Sequence, residues 1–220
     1  MTSDADPAPS ARPERRQRRA IRALVEDRDL VASHRRHLVK TTTALLRKKG
    51  YHNTSTRDIA AAAGMSVGAV YQYIQHKEDL MLLILQSLVD IYEQRVYPLA
   101  EKGERARERL WAAVDHYYRT LDEHHDKADV LYHQFSVLGG ETKRRFSAIE
   151  EKVHAIMKAI LDQGVAEGEF AEVNTFVVAH NIVSLGHMWA LKRRRFRNIM
   201  SIDQYIAEQQ RCLASILSAA

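Results

Sequence analysis

Ser66, Gly68, Ala69, Tyr71, Gln72, Tyr73 and Lys77 fall within twelve residues of one another, and the chemistry they offer is non-covalent recognition. A glutamine amide donates and accepts at once, so it can pair with the edge of an adenine, while tyrosine hydroxyls and an ammonium group can hold phosphate oxygens. Glycine and alanine at a helix start leave room for a large surface to come close. Lys77 also stands at the start of a helix, where free backbone N–H groups favour a phosphate oxygen. In the competing reading the segment is a buried helical hairpin and both tyrosines are core aromatics. That reading leaves a glutamine and a lysine beside them on a very short helix with nothing to face.

The flanking residues say how these groups are positioned. In "TSTRDIAAAAGMSVGAVYQYIQHKEDL", residues 54–80, Ser55 and Asp58 form a capping box that opens one helix, and Gly64 stops it. Ser66 caps a second helix whose inward face is Val70 and Ile74, with Ala69 or Tyr73 beside them. Two short helices joined by a three-residue turn containing Gly make a helix-turn-helix. The second helix of such a pair can enter the DNA major groove, which is about 12 Å wide. Ahead of the pair, Leu38, Val39, Thr42, Leu45 and Leu46 mark one face of a helix ending at Gly50. Behind it, His76, Lys77, Glu78 and Asp79 open a long helix through Leu80, Leu83, Ile84, Leu88 and Ile91 toward Pro98.

Helical spacing continues to the end of the chain. Leu110, Val114, Tyr117, Tyr118 and Leu121 share a face, and a short segment from Ala128 ends at Gly139-Gly140. Phe146, Ile149, Val153, Ile156, Met157 and Ile160 form a long stripe that closes at Gly168. Asn174 caps "TFVVAHNIVSLGHMWAL", which is apolar nearly all round and so must be covered on several sides. Ser201 caps a last helix with Ile202, Tyr205, Ile206, Leu213, Ile216 and Leu217 on one face. No strand alternation occurs. The predicted fold class is all-α, with a three-helix reading domain at residues 35–80 and a larger helical domain at residues 81–220. A basic arm at residues 1–34, rich in Pro, Ser and Arg, is expected to be largely disordered, with some amphipathic spacing after Ile21.

Charge distribution agrees with an anionic partner at one end. Residues 1–80 carry fifteen Lys/Arg against nine Asp/Glu, whereas the remainder carries eighteen against nineteen. The single cysteine, Cys212, excludes a disulfide framework and any multi-cysteine metal site, and reads as packing on the final helix. Neither a secretory signal nor a membrane span is visible, so a cytoplasmic protein with no membrane partner is expected. There is no HExxH, glycine-rich phosphate loop or nucleophile elbow, and the eleven histidines are scattered. An enzyme, a cofactor and a metal site are therefore not expected. A helical interaction protein without DNA binding is the alternative class.

"GYHNTSTRDIAAAAGMSVGAVYQYIQHKEDL", residues 50–80, resembles the DNA-binding domain of the TetR family of bacterial transcriptional regulators. The matching frame is Gly50-Tyr51, Thr54-Ser55, Asp58-Ile59-Ala60, Ala63-Gly64-Met65-Ser66, Gly68, Tyr71 and Lys77-Glu78-Asp79-Leu80. The frame departs from the family at Tyr73-Ile74, where His-Phe is usual, and at Thr41 and Thr42, where alanine is common. The resemblance implies a homodimer that binds a palindromic operator on double-stranded DNA and represses until a small-molecule effector is bound. It also implies a DNA-facing set of Thr56, Arg57, Ser66, Val67, Gly68, Ala69, Tyr71, Gln72, Tyr73 and Lys77. The dimer interface would be a four-helix arrangement of the last two helices, residues 174–191 and 201–217, so that a glutamate at Val183 would yield monomers.

By the same resemblance, an effector pocket lies within residues 99–187. Its expected lining is Trp111, Tyr117, Tyr118, Tyr132, His133, Phe135, Phe146, Met157, Phe176, His180, His187 and Met188, a mostly apolar slot with a few polar anchors. "ALKRRRFRN", residues 190–198, adds Arg193 and Arg194 as an expected anion site. Its bland alternative is a solvated helix end complementing the helix dipole. "GHMWALKRRRF" resembles, weakly, TetR-family regulators associated with acyl-CoA or aromatic-acid metabolism. A neutral lipophilic compound or drug is the alternative effector.

Overall fold

The computed structural model describes residues 27–98 and 105–218. Ten α-helices follow one another among the described residues, with no strand: α1 (Arg28–Lys49), α2 (Thr56–Ala62), α3 (Val67–Tyr71), α4 (Glu78–Arg95), α5 (Ala106–Glu123), α6 (His125–His133), α7 (Gly140–Ala166), α8 (Thr175–Leu191), α9 (Arg193–Phe196) and α10 (Ile202–Leu217). A single 3-10 turn, Phe135–Val137, separates α6 from α7.

Local chemistry sets the helix ends. Ser55 and Asp58 make the expected capping box, and the Ser66 and Asn174 side chains accept from the Ala69 and Val177 amides. Gly50, Gly64 and Gly168 take φ of +76°, +63° and +72°, the left-handed region that stops α1, α2 and α7. The start of α1 differs from the expectation. Helix begins at Arg28, seven residues inside the arm assigned to 1–34, because the Asp27 carboxylate caps the Asp29 and Leu30 amides at 3.0 Å each. Residues 1–26 of that arm lie outside the described residues. Gly139-Gly140 likewise does not end a helix: it opens α7, while the preceding segment starts at His125 and closes in the 3-10 turn. Cys212 is exposed, on the side of α10 away from the core.

One apolar core joins both parts of the molecule. Leu38 and Leu46 of α1, Ile59 of α2, Val70 of α3 and Ile74 surround the start of α4, where Leu80 and Ile84 are buried. From there α4 runs on to pack against α5, α6 and α7, so it belongs to both domains. In the larger part α5, α7 and α8 pack mutually and α10 lies on α5. The α5–α8 approach is close: a Cβ on Gly186 would meet the Tyr118, Leu121 and Tyr117 side chains at 2.8–3.0 Å.

Candidate functional site

The reading hairpin is built around a short α3 whose two sides differ sharply. Val70 and Ile74 are buried, whereas Gly68 and Gln72 are exposed and Tyr71 is 43% exposed. Arg57 and Ser66 are also exposed, and Thr56, Val67 and Ala69 are half-buried on the same hairpin. A Cβ on Gly68 would meet nothing closer than the Ser66 hydroxyl at 4.0 Å. No protein neighbour among the described residues requires a glycine there.

Two expected DNA-facing residues are turned inward instead. Tyr73 is 4% exposed and stacks on His34 of α1 with ring centroids 4.8 Å apart. The Arg35 guanidinium donates to its carbonyl at 3.2 Å. Tyr73 follows Val70 by three residues, and that spacing carries its ring to the apolar side. Lys77 is half-buried, donating to the Tyr51 carbonyl at 2.6 Å with its ammonium 4.0 Å from the Tyr51 ring centre. Burial lowers the Lys77 pKa and pushes the Tyr51 hydroxyl up to about 12. Lys77 acts as a strut inside the domain. Behind it the buried Asp79 carboxylate accepts from the Gln75 and His76 amides, at 2.8 and 2.9 Å, and so ties the end of the hairpin to α4.

The larger domain holds a closed cavity of only about 10 Å³ between α4, α5, α6, α7 and α8. Of the expected effector residues, Tyr117, Tyr132, Phe146 and His187 line it, together with the apolar Leu88 and Val153 and with Glu150, which the sequence reading missed. His187 Nε2 is 2.8 Å from the Tyr117 hydroxyl and its Nδ1 is 2.6 Å from the Tyr132 hydroxyl, which donates in turn to Glu150. Burial drives the His187 pKa down to about 4 and raises that of Glu150. A sequence signal for Glu150 existed: it lies four residues after Phe146 and three before Val153, a carboxylate on an apolar stripe.

The other expected lining residues go elsewhere, because the helix faces that carry them look outward or into other contacts. Tyr118 donates to the Ile182 carbonyl at 2.9 Å and packs on Tyr205. Trp111 lies beside Arg107, its carbonyl accepting from Gln210. Met157 is buried in the core away from the cavity. Phe176, His180 and Met188 are exposed on α8, and His133 is exposed at the end of α6. Phe135, in the 3-10 turn, is 37% exposed and touches Phe146, its ring centroid 5.9 Å away. Among the described residues, the expected lining therefore does not surround one sizeable open pocket.

The arginine run divides as well. Arg193 pairs with Asp122 at 2.6 Å, and Asp122 also accepts from the Trp189 indole at 2.9 Å, so this cation already has its anion. Arg194 and Arg197 are exposed on a surface cleft of about 480 Å³ shared with Arg47 and His125. A larger open groove, about 1050 Å³, separates α1 from α4 and α6, and its rim mixes both charge signs. Among the described residues no group of three or more His, Cys, Asp or Glu could hold a metal ion, and no helix is long and apolar enough to cross a membrane.

A hydrogen bond links the two regions, beside the Arg47–Asp129 ion pair at 3.3 Å. The Gln134 side chain, between the cavity residue Tyr132 and the 3-10 turn, accepts from the Tyr51 amide at 3.2 Å. Tyr51 in turn carries Lys77, so a hydrogen-bonded path leads from the edge of the cavity to the end of the reading hairpin.

Comparison with known proteins agrees with this architecture. Residues 38–84 match the family described as bacterial regulatory proteins, tetR family, and residues 103–190 match the tetracyclin repressor-like C-terminal domain. The HTH-type transcriptional regulator HbdR of Aromatoleum sp. (strain CIB) is 28% identical over 189 residues, covering 86% of this chain and 82% of that protein. The HTH-type transcriptional repressor KstR2 of Mycobacterium tuberculosis is 28% identical over 143 residues, 64% of this chain and 70% of that one. A TetR/AcrR-family transcriptional regulator from Thermobifida fusca superposes with a TM-score of 0.65 at 28% identity, covering 82% of this chain and 96% of its own. AibR, solved with isovaleryl coenzyme A and operator DNA, shares the fold at a TM-score of 0.70 and 24% identity, over 80% of this chain and 95% of that one. These relatives are regulators and not enzymes, and the chain belongs to the TetR family of bacterial transcriptional regulators.

Proposed function

We propose that this regulator is a homodimeric repressor that leaves a palindromic operator when a small, largely apolar effector enters the cavity between α4 and α8. The observation that carries the DNA half is the exposed side of α3, with Gly68 open to the outside and Tyr71 and Gln72 projecting beside it. Thr56, Arg57, Ser66, Val67, Gly68, Ala69, Tyr71 and Gln72 form the DNA-facing set. In it Gln72 reads a base edge, and Arg57 and Tyr71 hold phosphates. The reading domain extends from Arg28 to residue 80, and the effector and dimerisation domain follows it.

Apolar side chains left uncovered on α8 and α10 support the dimer: Phe176, Leu185 and Met188, with Ile216. A second copy seated there would set two α3 helices about 34–36 Å apart, or a multiple of that, as successive major grooves require. An effector that opens the cavity displaces α6, and the Gln134–Tyr51–Lys77 path carries the shift to the hairpin, changing the spacing. The exposed Arg194 and Arg197 around one cleft favour a ligand with phosphates, such as a CoA thioester, while Arg47 beside them is paired with Asp129. The commitment of Arg193 to Asp122 and the apolar lining of the cavity favour a neutral lipophile.

A gel shift with the DNA upstream of the protein's own gene tests the reading. Binding should weaken steeply with salt, since each phosphate contact releases counterions. Adding acyl-CoA thioesters or neutral lipophiles should then release the DNA. Failure to bind any specific duplex would overturn the DNA half, and release by neutral lipophiles alone would exclude the CoA ester.

A further inference from the structure

Five helices each contribute one polar group to the closed cavity, Tyr92 of α4, Tyr117 of α5, Tyr132 of α6, Glu150 of α7 and His187 of α8, and Tyr92 is hydrogen-bonded to Tyr117. Tyr132 gives its hydroxyl hydrogen to Glu150, so its oxygen must accept from His187 Nδ1, 2.6 Å away. A neutral imidazole protonated at Nδ1 has a bare Nε2, which accepts from the Tyr117 hydroxyl at 2.8 Å. The donors run one way, Tyr117 to His187 to Tyr132 to Glu150, and the chain ends on a carboxylate. Among the described residues no Lys or Arg lies within ion-pair distance of Glu150. Its nearest basic group is the His187 ring, 3.7 Å away, which burial keeps uncharged. The neighbouring Lys152 lies over the Tyr97 ring instead, 3.8 Å from its centre.

We infer that Glu150 selects the charge of the effector: the cavity takes a ligand whose buried end is an uncharged hydrogen-bond acceptor, such as an acyl thioester, ester or ketone, and rejects the free carboxylate of the same skeleton. This rests on the reading of the cavity as the effector site. An entering carbonyl oxygen can take the Nδ1–H of His187 in place of the Tyr132 oxygen, while Tyr132 goes on donating to Glu150. No buried donor is then left without an acceptor. A carboxylate in the same place would lie beside Glu150 with no described Lys or Arg to offset it and only His180 acting from further off, which drives one of the two to take up a proton. The expected discrimination is on the order of 100-fold. Phe135 at the surface touches Phe146, whose ring centroid is 5.0 Å from that of Tyr132, so these packed rings would have to part for a ligand to enter.

The test uses the full chain and matched probes: butanoyl, octanoyl, palmitoyl and benzoyl groups, each as methyl ester, N-acetylcysteamine thioester and sodium carboxylate. Affinity is read by isothermal titration calorimetry at neutral pH. At least one skeleton should bind as ester or thioester tenfold or more tighter than as carboxylate. Glu150→Gln, which keeps the shape and an acceptor for Tyr132, should bring the carboxylate to within about threefold of the ester. The wild-type comparison stands alone if that variant does not fold. A carboxylate that binds wild type as tightly as its ester, and loses that binding in Tyr132→Phe, overturns the charge rule and leaves the cavity as the effector site. Discrimination that survives Glu150→Gln also overturns the rule. Binding indifferent to both substitutions, or no binding by any probe, overturns the rule and the cavity reading together.

Discussion

Gln72 faces solvent, while the next residue, Tyr73, stacks under His34 and receives Arg35 on its carbonyl. The two substitutions should therefore report different things. Gln72→Ala should leave binding to random duplex unchanged and cost about 1–3 kcal/mol of preference for the operator, measured by fluorescence anisotropy on both duplexes. Tyr73→Ala should cost about 3–5 kcal/mol of folding stability, by analogy with other buried aromatics, and Tyr73→Phe should leave the salt slope of DNA binding unchanged. The helical spacing already set Tyr73 beside Val70 and Ile74. What no local pattern contained was His34, 39 positions upstream, which stacks on the Tyr73 ring. His187 supplies a pH test. Its folded pKa of about 4 lies below the ordinary value of 6.5, so the unfolded chain binds the extra proton first. Its contribution to stability is complete above about pH 6.5 and is lost as the pH falls toward 4, roughly 3 kcal/mol in all. Denaturant titrations across that range should show the loss, and His187→Gln should flatten it.

At the scale of elements, α5 and α8 approach closely only because position 186 has no side chain. Gly186→Ala should cost about 1–3 kcal/mol, seen as a lowered Tm. Tyr117 and Tyr118 cannot swing aside, since each is buried and hydrogen-bonded, one to His187 and the other to the Ile182 carbonyl. Gln134 is the element-scale test of coupling. Gln134→Ala should leave ligand affinity and DNA affinity nearly as they are, but reduce the change in DNA affinity that ligand produces, by about 0.5–2 kcal/mol of coupling. Full release of DNA by ligand in that variant would show that the shift travels by another contact, such as the Arg47–Asp129 pair at 3.3 Å. Helix ends were largely legible beforehand, since Ser55, Ser66, Asn174 and Ser201 all cap as read. The early start of α1 was not, because the apolar spacing after Ile21 runs past Asp27 and does not single it out as the cap.

For the whole molecule, dimer assembly and operator spacing are one question. Val183, the sequence-level choice for breaking the dimer, is only 6% exposed within a single subunit. A glutamate there would disrupt the subunit's own core and would not report on assembly. Leu185 is 38% exposed on the same helix and is the better probe. Leu185→Glu should keep the helical circular-dichroism signal, run as a monomer in analytical ultracentrifugation, and bind a full operator at least tenfold more weakly than wild type. A monomeric wild type would overturn the dimer, and an unchanged dimer in the variant would move the interface off this face.

Most helix ends and the reading hairpin were determined by the sequence alone, because capping side chains, glycine stops and apolar periodicity act over a few residues. Three things were decided only in three dimensions: which tyrosine faces outward, which arginine keeps a free charge, and whether the cavity stands open. Each depends on a partner distant in the chain: Tyr73 on His34, Arg193 on Asp122, and His187 on Tyr117, 70 residues away. Electrostatic and hydrogen-bond partners are chosen by proximity after packing, and a linear pattern carries no record of that proximity.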